Sequence, residues 1–212
     1  MSRRQHLFLL ILLAVLALLA GAACGVLMWF DPPRDGIAAD RCPPDFFCET
    51  GENRIDVQTD GNCAAYAAAY VLRSMGVQAD GEEIAGEMKR RFGFVPADSI
   101  VRVLERYGIP AAAYHGSVDT LKRRLTDGVP VIVFADASGD THYTVLVGYD
   151  EEYFYLADSL AQYAGTGESG YNRKLTAEEF QSILATDTPL SDNIYIVAGR
   201  GAAFAVGSAG RP

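Results

Sequence analysis

The chain has 212 residues, with 18 Lys and Arg against 27 Asp and Glu and a formal net charge of −9. That length suits one globular domain plus a targeting segment, and excludes two full domains and an anchor. The acidic balance opposes binding to nucleic acid or to an anionic membrane surface and favours solubility.

Residues Leu7 to Phe30 (LFLLILLAVLALLAGAACGVLMWF) contain no charged or amide side chain. A helix of that length extends about 36 Å and crosses a hydrocarbon core of about 30 Å. Arg3 and Arg4 precede it, so the positive-inside rule puts the N-terminus in the cytoplasm and everything after Phe30 outside. Residues 1–30 are therefore expected to be a signal anchor with one transmembrane helix. Cleavage after Ala20-Gly21-Ala22, giving a secreted protein, and lipid attachment at Cys24 are the alternatives, and all three export the rest of the chain. Residues 31–54 read as a juxtamembrane linker rich in Pro, Gly and Asp. Within it Cys42 and Cys48 (CPPDFFC) are expected to close a small disulfide loop, contributing about 2 kcal/mol in the chain-entropy picture. Cys63 is then left over, and an odd cysteine in an exported protein points to a reactive thiol or an intermolecular link.

A helix is expected to start near Cys63, because AAYAAAYVLRSM is rich in helix formers and stops at Gly76; Asp60 or Asn62 would cap it. Helices follow over Gly81–Arg91 and Ala97–Tyr107, with Gly93 and Gly108 as stops. A short strand covers Ala111–His115, and a helix runs over Val118–Thr126. The second half changes character. VPVIVFAD (129–136), HYTVLVGYD (142–150) and EYFYLAD (152–158) read as strands, the last two joined by a tight turn at Asp150-Glu151. Thr176 and Glu179 form a capping box that opens a helix to about Ala185, with Phe180, Ile183 and Leu184 on its apolar face. NIYIVAG (193–199) closes the sheet, and residues 199–212 form a flexible Gly/Ala-rich tail. Helices first and an antiparallel sheet later give an α+β domain over 55–198, its N-terminal helical part packed on the sheet.

The segment QTDGNCAAY (58–66) carries the chemical signal. A cysteine in the first turn of a helix feels the positive end of the helix dipole, which favours thiolate over thiol. The amide of Gln58 can turn back toward the helix start. With the Cys63 backbone N–H it would hold a developing oxyanion, worth about 3 kcal/mol per donor. Taken alone, a cysteine in an alanine-rich helix is more often core, and a lone histidine is more often a surface or satisfied one. His142, however, begins a strand after the polar residues Ser138–Thr141, and Asp158 ends the next strand. A hairpin between them puts Asp158 beside His142, where it would fix the imidazole tautomer and leave the other nitrogen for the Cys63 proton. The tyrosines 143, 149, 153 and 155 read first as sheet packing and second as a groove lining. Asp136 and Asp140 lie near the cleft, but no ligand spacing supports a metal, and no cofactor is implied.

Read together, QTDGNCAAYAAAYVL, HYTVLVGYD and YFYLADS resemble the bacteriocin-processing (double-glycine leader) peptidase family and its stand-alone relatives, over roughly residues 55–198. The resemblance implies a papain-like fold. It puts the oxyanion glutamine, nucleophile, base and orienting acid on Gln58, Cys63, His142 and Asp158, and it implies hydrolysis of a peptide or protein amide through an acyl-enzyme on sulfur. Three positions depart from the family pattern. Ala64 replaces a common glycine, Gln58 stands closer to Cys63 than usual, and Ser159 replaces the proline that often follows the acid. GxxxxGK[ST] is absent, so the leader-peptidase role of transporter-linked members does not carry over. Two other readings compete: a silent relative that binds an extended peptide in the same groove, and a Cys-His hydrolase or transferase of cell-wall or transglutaminase-like type.

Overall fold

The computed structural model describes residues 5–6, 10–19, 21, 31–39, 42–51, 53–91, 93–137, 140–165, 170–185 and 193–199. It divides into two units, Met1–Asp31 and Pro32–Pro212. In the first, residues 10–19 are helical and their leucines are exposed. Among the described residues no helix is long and apolar enough to cross a membrane. The remainder of the Leu7–Phe30 run, including Cys24 and most of the small residues before it, lies outside the described residues, as does the tail beyond Gly199.

The second unit is α+β. Its elements are β1 (Phe46–Phe47), α1 (Cys63–Ser74), α2 (Gly81–Glu87), α3 (Ala97–Arg106), β2 (Ala111–His115), α4 (Val118–Leu125) and β3 (Val131–Ala137). There follow β4 (Asp140–Tyr149), β5 (Tyr153–Ala157), a single 3-10 turn at Ala161–Tyr163, β6 (Arg173–Thr176), α5 (Ala177–Leu184) and β7 (Ile194–Ala198). The strands form one sheet in the order β2-β7-β3-β4-β5-β6, with β1 added to β4, and each pairing is antiparallel.

The sheet is buried on both faces, which explains why β3 reads as an unbroken apolar run. Ile132 and Phe134 of β3 point to one core, with Tyr143, Val145 and Val147 of β4 and the apolar sides of α1 and α3. Val131 and Val133 point to the other, with Leu146, Leu156, Leu121 of α4 and Phe180 of α5. α1 is buried from Ala64 to Leu72, so the small alanine side chains let it lie close against the sheet and α2. Leu72 is fully buried, and truncating it to alanine would cost about 2–5 kcal/mol. α1 and α3 end in the same way. Gly76 and Gly108, both at φ +81, follow the helix, and Val77 and Ile109 donate back to Leu72 and Leu104 at 3.0 Å, satisfying carbonyls left open at a helix end.

Several elements differ from the sequence expectation. The 31–54 segment is not a free linker: its two ends are built into the sheet. Pro33 O accepts the His115 N–H at 2.9 Å, Asp35 N–H donates to His115 O at 2.7 Å, and the buried Asp35 carboxylate pairs with Arg124 at 2.7 Å and with the Tyr195 hydroxyl at 2.6 Å. Further on, β1 lies beside β4 just past the last β3 pair, and the Phe47 ring covers Gly148, where a Cβ would sit 2.3 Å from it. No disulfide joins Cys42 to Cys48. Cys48 is a buried free thiol directed at Leu125 O, whereas the Cys42 thiol faces Asp119 O, so the extended β1 segment carries the two sulfurs to different places on α4. α2 stops at Glu87 and not Arg91: Met88 turns extended, Lys89 O accepts the Ser99 hydroxyl, and Arg91 pairs with Phe94 across Gly93. β6 was not foreseen. Its sequence RKLT offers one large apolar residue, and its pairing with β5 supplies the strand character. β7 does not close the sheet; it lies inside it, between β2 and β3.

Candidate active site

The site forms where the start of α1 meets the middle of the sheet. Asp60 (φ +46) and Gly61 (φ +67) make a left-handed turn, closed by Asn62 N–H to Thr59 O at 3.0 Å. The turn delivers Cys63 as the first residue of α1, partly exposed at the positive end of the helix. Neither candidate cap performs that task. Asn62 makes no capping bond, and its Oδ1 accepts Arg90 at 2.6 Å instead. Glu82 holds the turn from outside, accepting hydrogen bonds from the Thr59 and Tyr66 hydroxyls.

His142 lies on β4, opposite Ala135 of β3, and only 3% of it is exposed. It was expected at the mouth of its strand, but β4 begins two residues earlier at Asp140, because Asp140 and Thr141 pair with Ala137 and Asp136. Asp158 follows β5 directly and is 1% exposed. Antiparallel pairing of Val145 with Ala157 sets it beside His142, and His142 Nε2 lies 2.8 Å from Asp158 Oδ1. With Nε2 engaged, Nδ1 is the nitrogen left for Cys63, and the sulfur and the ring each shift the other's titration. Cysteine, histidine and acid are therefore coupled along one line, with a hydrogen bond between His142 and Asp158.

The charges follow from this line. Burial pushes the Cys63 thiol up, but the hydrogen bond and positive charge of His142 outweigh it. The backbone N–H groups of Tyr143 and Ala64 add to them, and the net shift is downward. Burial pushes His142 down, yet hydrogen bonds to Asp158 and Cys63 and their negative charges raise it to about 9. Burial also raises Asp158, but His142, the Leu160 N–H and Arg173 hold it below the usual carboxylate range. Both shifts favour a thiolate–imidazolium pair over a neutral thiol and imidazole.

Gln58 lies at the edge of the same site. Its backbone N–H donates to Ser159 O at 2.8 Å, and its side-chain Oε1 accepts the Ser159 hydroxyl at 2.7 Å. Residues around the acid went unremarked in the sequence. Arg173, at the start of β6, donates to Asp158 Oδ2 at 3.0 Å and lies over the Tyr163 ring at 4.8 Å. Asn172 clamps the Asp158 backbone from both sides, accepting its N–H and donating to its carbonyl, each at 2.7 Å. Asn172 precedes and Arg173 opens a strand that sequence periodicity does not show, and Arg173 looks like an ordinary surface cation until β6 is paired. Tyr143, Tyr149 and Tyr155 are buried in the sheet's packing. Among the described residues no group of three or more His, Cys, Asp or Glu side chains could hold a metal ion.

Known proteins are similar to this chain in sequence and in fold. The family described as "Peptidase_C39 like family" matches residues 52–186. A protein of Pseudomonas fluorescens described as a probable functional amyloid protease, FapD, is 27% identical over 137 residues, covering 60% of this chain and 55% of that relative. The chain thus spans about half the length of that curated relative. A C39-like peptidase structure from Bacillus anthracis superposes with a TM-score of 0.54 at 17% identity, covering 71% of this chain and 96% of that one. A double-glycine-motif protease from an AMS/PCAT transporter, solved with its leader peptide, gives 0.51 at 18% identity, covering 72% and 96%. These likenesses establish the α+β, antiparallel-sheet fold of such peptidase domains.

Proposed function

Because the chain belongs to the peptidase C39-like family, we propose that it is a cysteine peptidase that cleaves a peptide or protein with Cys63 as nucleophile, His142 as base and acid, Asp158 as the orienting acid and Gln58 as an oxyanion donor. The observation that carries this reading is the hydrogen bond between the buried His142 and Asp158, with the partly exposed Cys63 at the helix start coupled electrostatically to His142. In the forward step the Cys63 thiolate attacks the scissile carbonyl carbon. The carbonyl oxygen takes up the negative charge and receives hydrogen bonds from the Cys63 backbone N–H and the Gln58 amide. The imidazolium gives its proton to the leaving nitrogen as the C–N bond breaks, which leaves a thioester. Water, giving a proton to His142, then attacks the thioester, and the C–S bond breaks to free the acid product and restore the Cys63 thiolate beside the imidazolium.

A peptide ligand is supported by the nature of the relatives, one described as an amyloid protease and one holding a leader peptide. The proposal further sets residues 1–30 as a membrane anchor with the rest of the chain outside the cytoplasm. That part is supported by Arg3 and Arg4 before an uncharged apolar run, and by the exposed leucines of residues 10–19. The test is digestion of a diverse peptide library by the full chain, read by mass spectrometry against Cys63→Ala. New termini with the native protein alone are expected. Identical peptide recovery from both, with peptides retained on the immobilised protein, would replace hydrolysis with binding.

A further inference from the structure

Ser159 directly follows the acid of the site and is 8% exposed. It touches Gln58 twice, through its carbonyl at 2.8 Å from the Gln58 N–H and through its hydroxyl, which donates to Gln58 Oε1 at 2.7 Å. A carboxamide has one accepting oxygen and one donating NH2, and a donor fixed on the oxygen turns the NH2 the other way. Ser159 is itself held on a rigid frame. The Ala157 carbonyl before it accepts the Thr144 hydroxyl at 3.0 Å, and Asn172 clamps the intervening Asp158 backbone. From these contacts we propose that Ser159 is a positioning residue for the oxyanion donor. Its hydroxyl holds the Gln58 oxygen so that the amide NH2 faces the carbonyl oxygen of a bound substrate. The inference rests on the hydrolase reading and refines it. It also gives a chemical role to the position where the family pattern commonly has proline, which carries no hydroxyl. Two neighbouring residues then set both halves of the chemistry, Asp158 the proton carrier and Ser159 the charge acceptor.

The test compares two reactions of the Cys63 sulfur in the full chain. Acylation by p-nitrophenyl acetate builds negative charge on a carbonyl oxygen, whereas alkylation by iodoacetamide does not. Ser159→Ala is expected to slow acylation about 10-fold and Gln58→Ala about 100-fold, with alkylation unchanged in both. In the Gln58→Ala background, Ser159→Ala is expected to add nothing, because the two act through one bond. Should the alanine variant not fold, Ser159→Thr, which keeps the hydroxyl, and Ser159→Val, its isostere without one, carry the same comparison. Native acylation in the variant lacking the hydroxyl, an equal loss in alkylation, or multiplied effects in the double variant would each overturn the proposal. Failure of the hydrolase reading has a different signature: His142→Ala would leave both reactions of the native protein unaltered.

Discussion

Replacing Asp158 with Asn removes the charge on which His142 depends and nearly nothing of its volume. Holding the buried imidazole at about 9 against its ordinary 6.5 corresponds to a preference for the charged form of about 3 kcal/mol. Asp158 is the largest named source of that preference, acting against burial. Without it His142 falls to its ordinary value or below, Cys63 loses its counter-charge, and burial returns the thiol to its neutral form. Iodoacetamide labelling of Cys63 at neutral pH should then slow about 100-fold. The substitution has a second effect. Arg173, whose side chain is 10% exposed, is left facing a neutral amide, and a buried cation stripped of its partner costs about 3–5 kcal/mol. The double substitution Asp158→Asn with Arg173→Met should therefore recover much of the urea midpoint lost by the single one, yet none of the labelling rate. Wild-type labelling in Asp158→Asn, or recovery of labelling along with stability in the double variant, would refute the assignment of charges to this line.

Hydrolysis should have an upper pH limit near 9, because the leaving nitrogen takes its proton from His142, and that proton is gone above this value. Iodoacetamide labelling, which needs only the thiolate, should persist there, and a parallel fall in both would count against the imidazolium as the acid. The same titration enters stability: the His142 contribution is complete below 6.5 and is lost as pH rises through about 9, so urea midpoints should decline across that window. Burial pushes the Cys48 thiol up to about 12, so in native protein a disulfide reagent should reach Cys63 and spare Cys48 until the chain unfolds. Recovery of a linked Cys42–Cys48 peptide from unreduced protein would contradict the separation of the two sulfurs.

Most of the scaffold was legible because its signals are local. The Thr176–Glu179 box is a contact between neighbours, Gly76 and Gly108 mark helix ends through a backbone angle, and the VPVIVF run reports burial on both faces. The His142–Asp158 pairing was legible because one hairpin suffices to bring the two side chains together. What escaped depends on partners distant in sequence. Asp35 becomes part of the domain only through Arg124 and Tyr195, and its own surroundings, Pro, Gly and Asp, look like linker. β6 gains its pairing from β5, and Arg173 gains its meaning from β6. The Cys42–Cys48 expectation failed because short spacing says that two sulfurs can meet, not that the segment between them stays free to bend; β1 keeps it extended.

His142 sits on a strand flanked by β3 and β5, with a packed core on each face. Backbone amides in such a location exchange with solvent only when the whole domain opens, whereas the first turn of α1 can fray while everything else stands. Thermal loss of the base should thus coincide with global melting, and any milder, reversible loss of reactivity has to originate at the sulfur's end of the site.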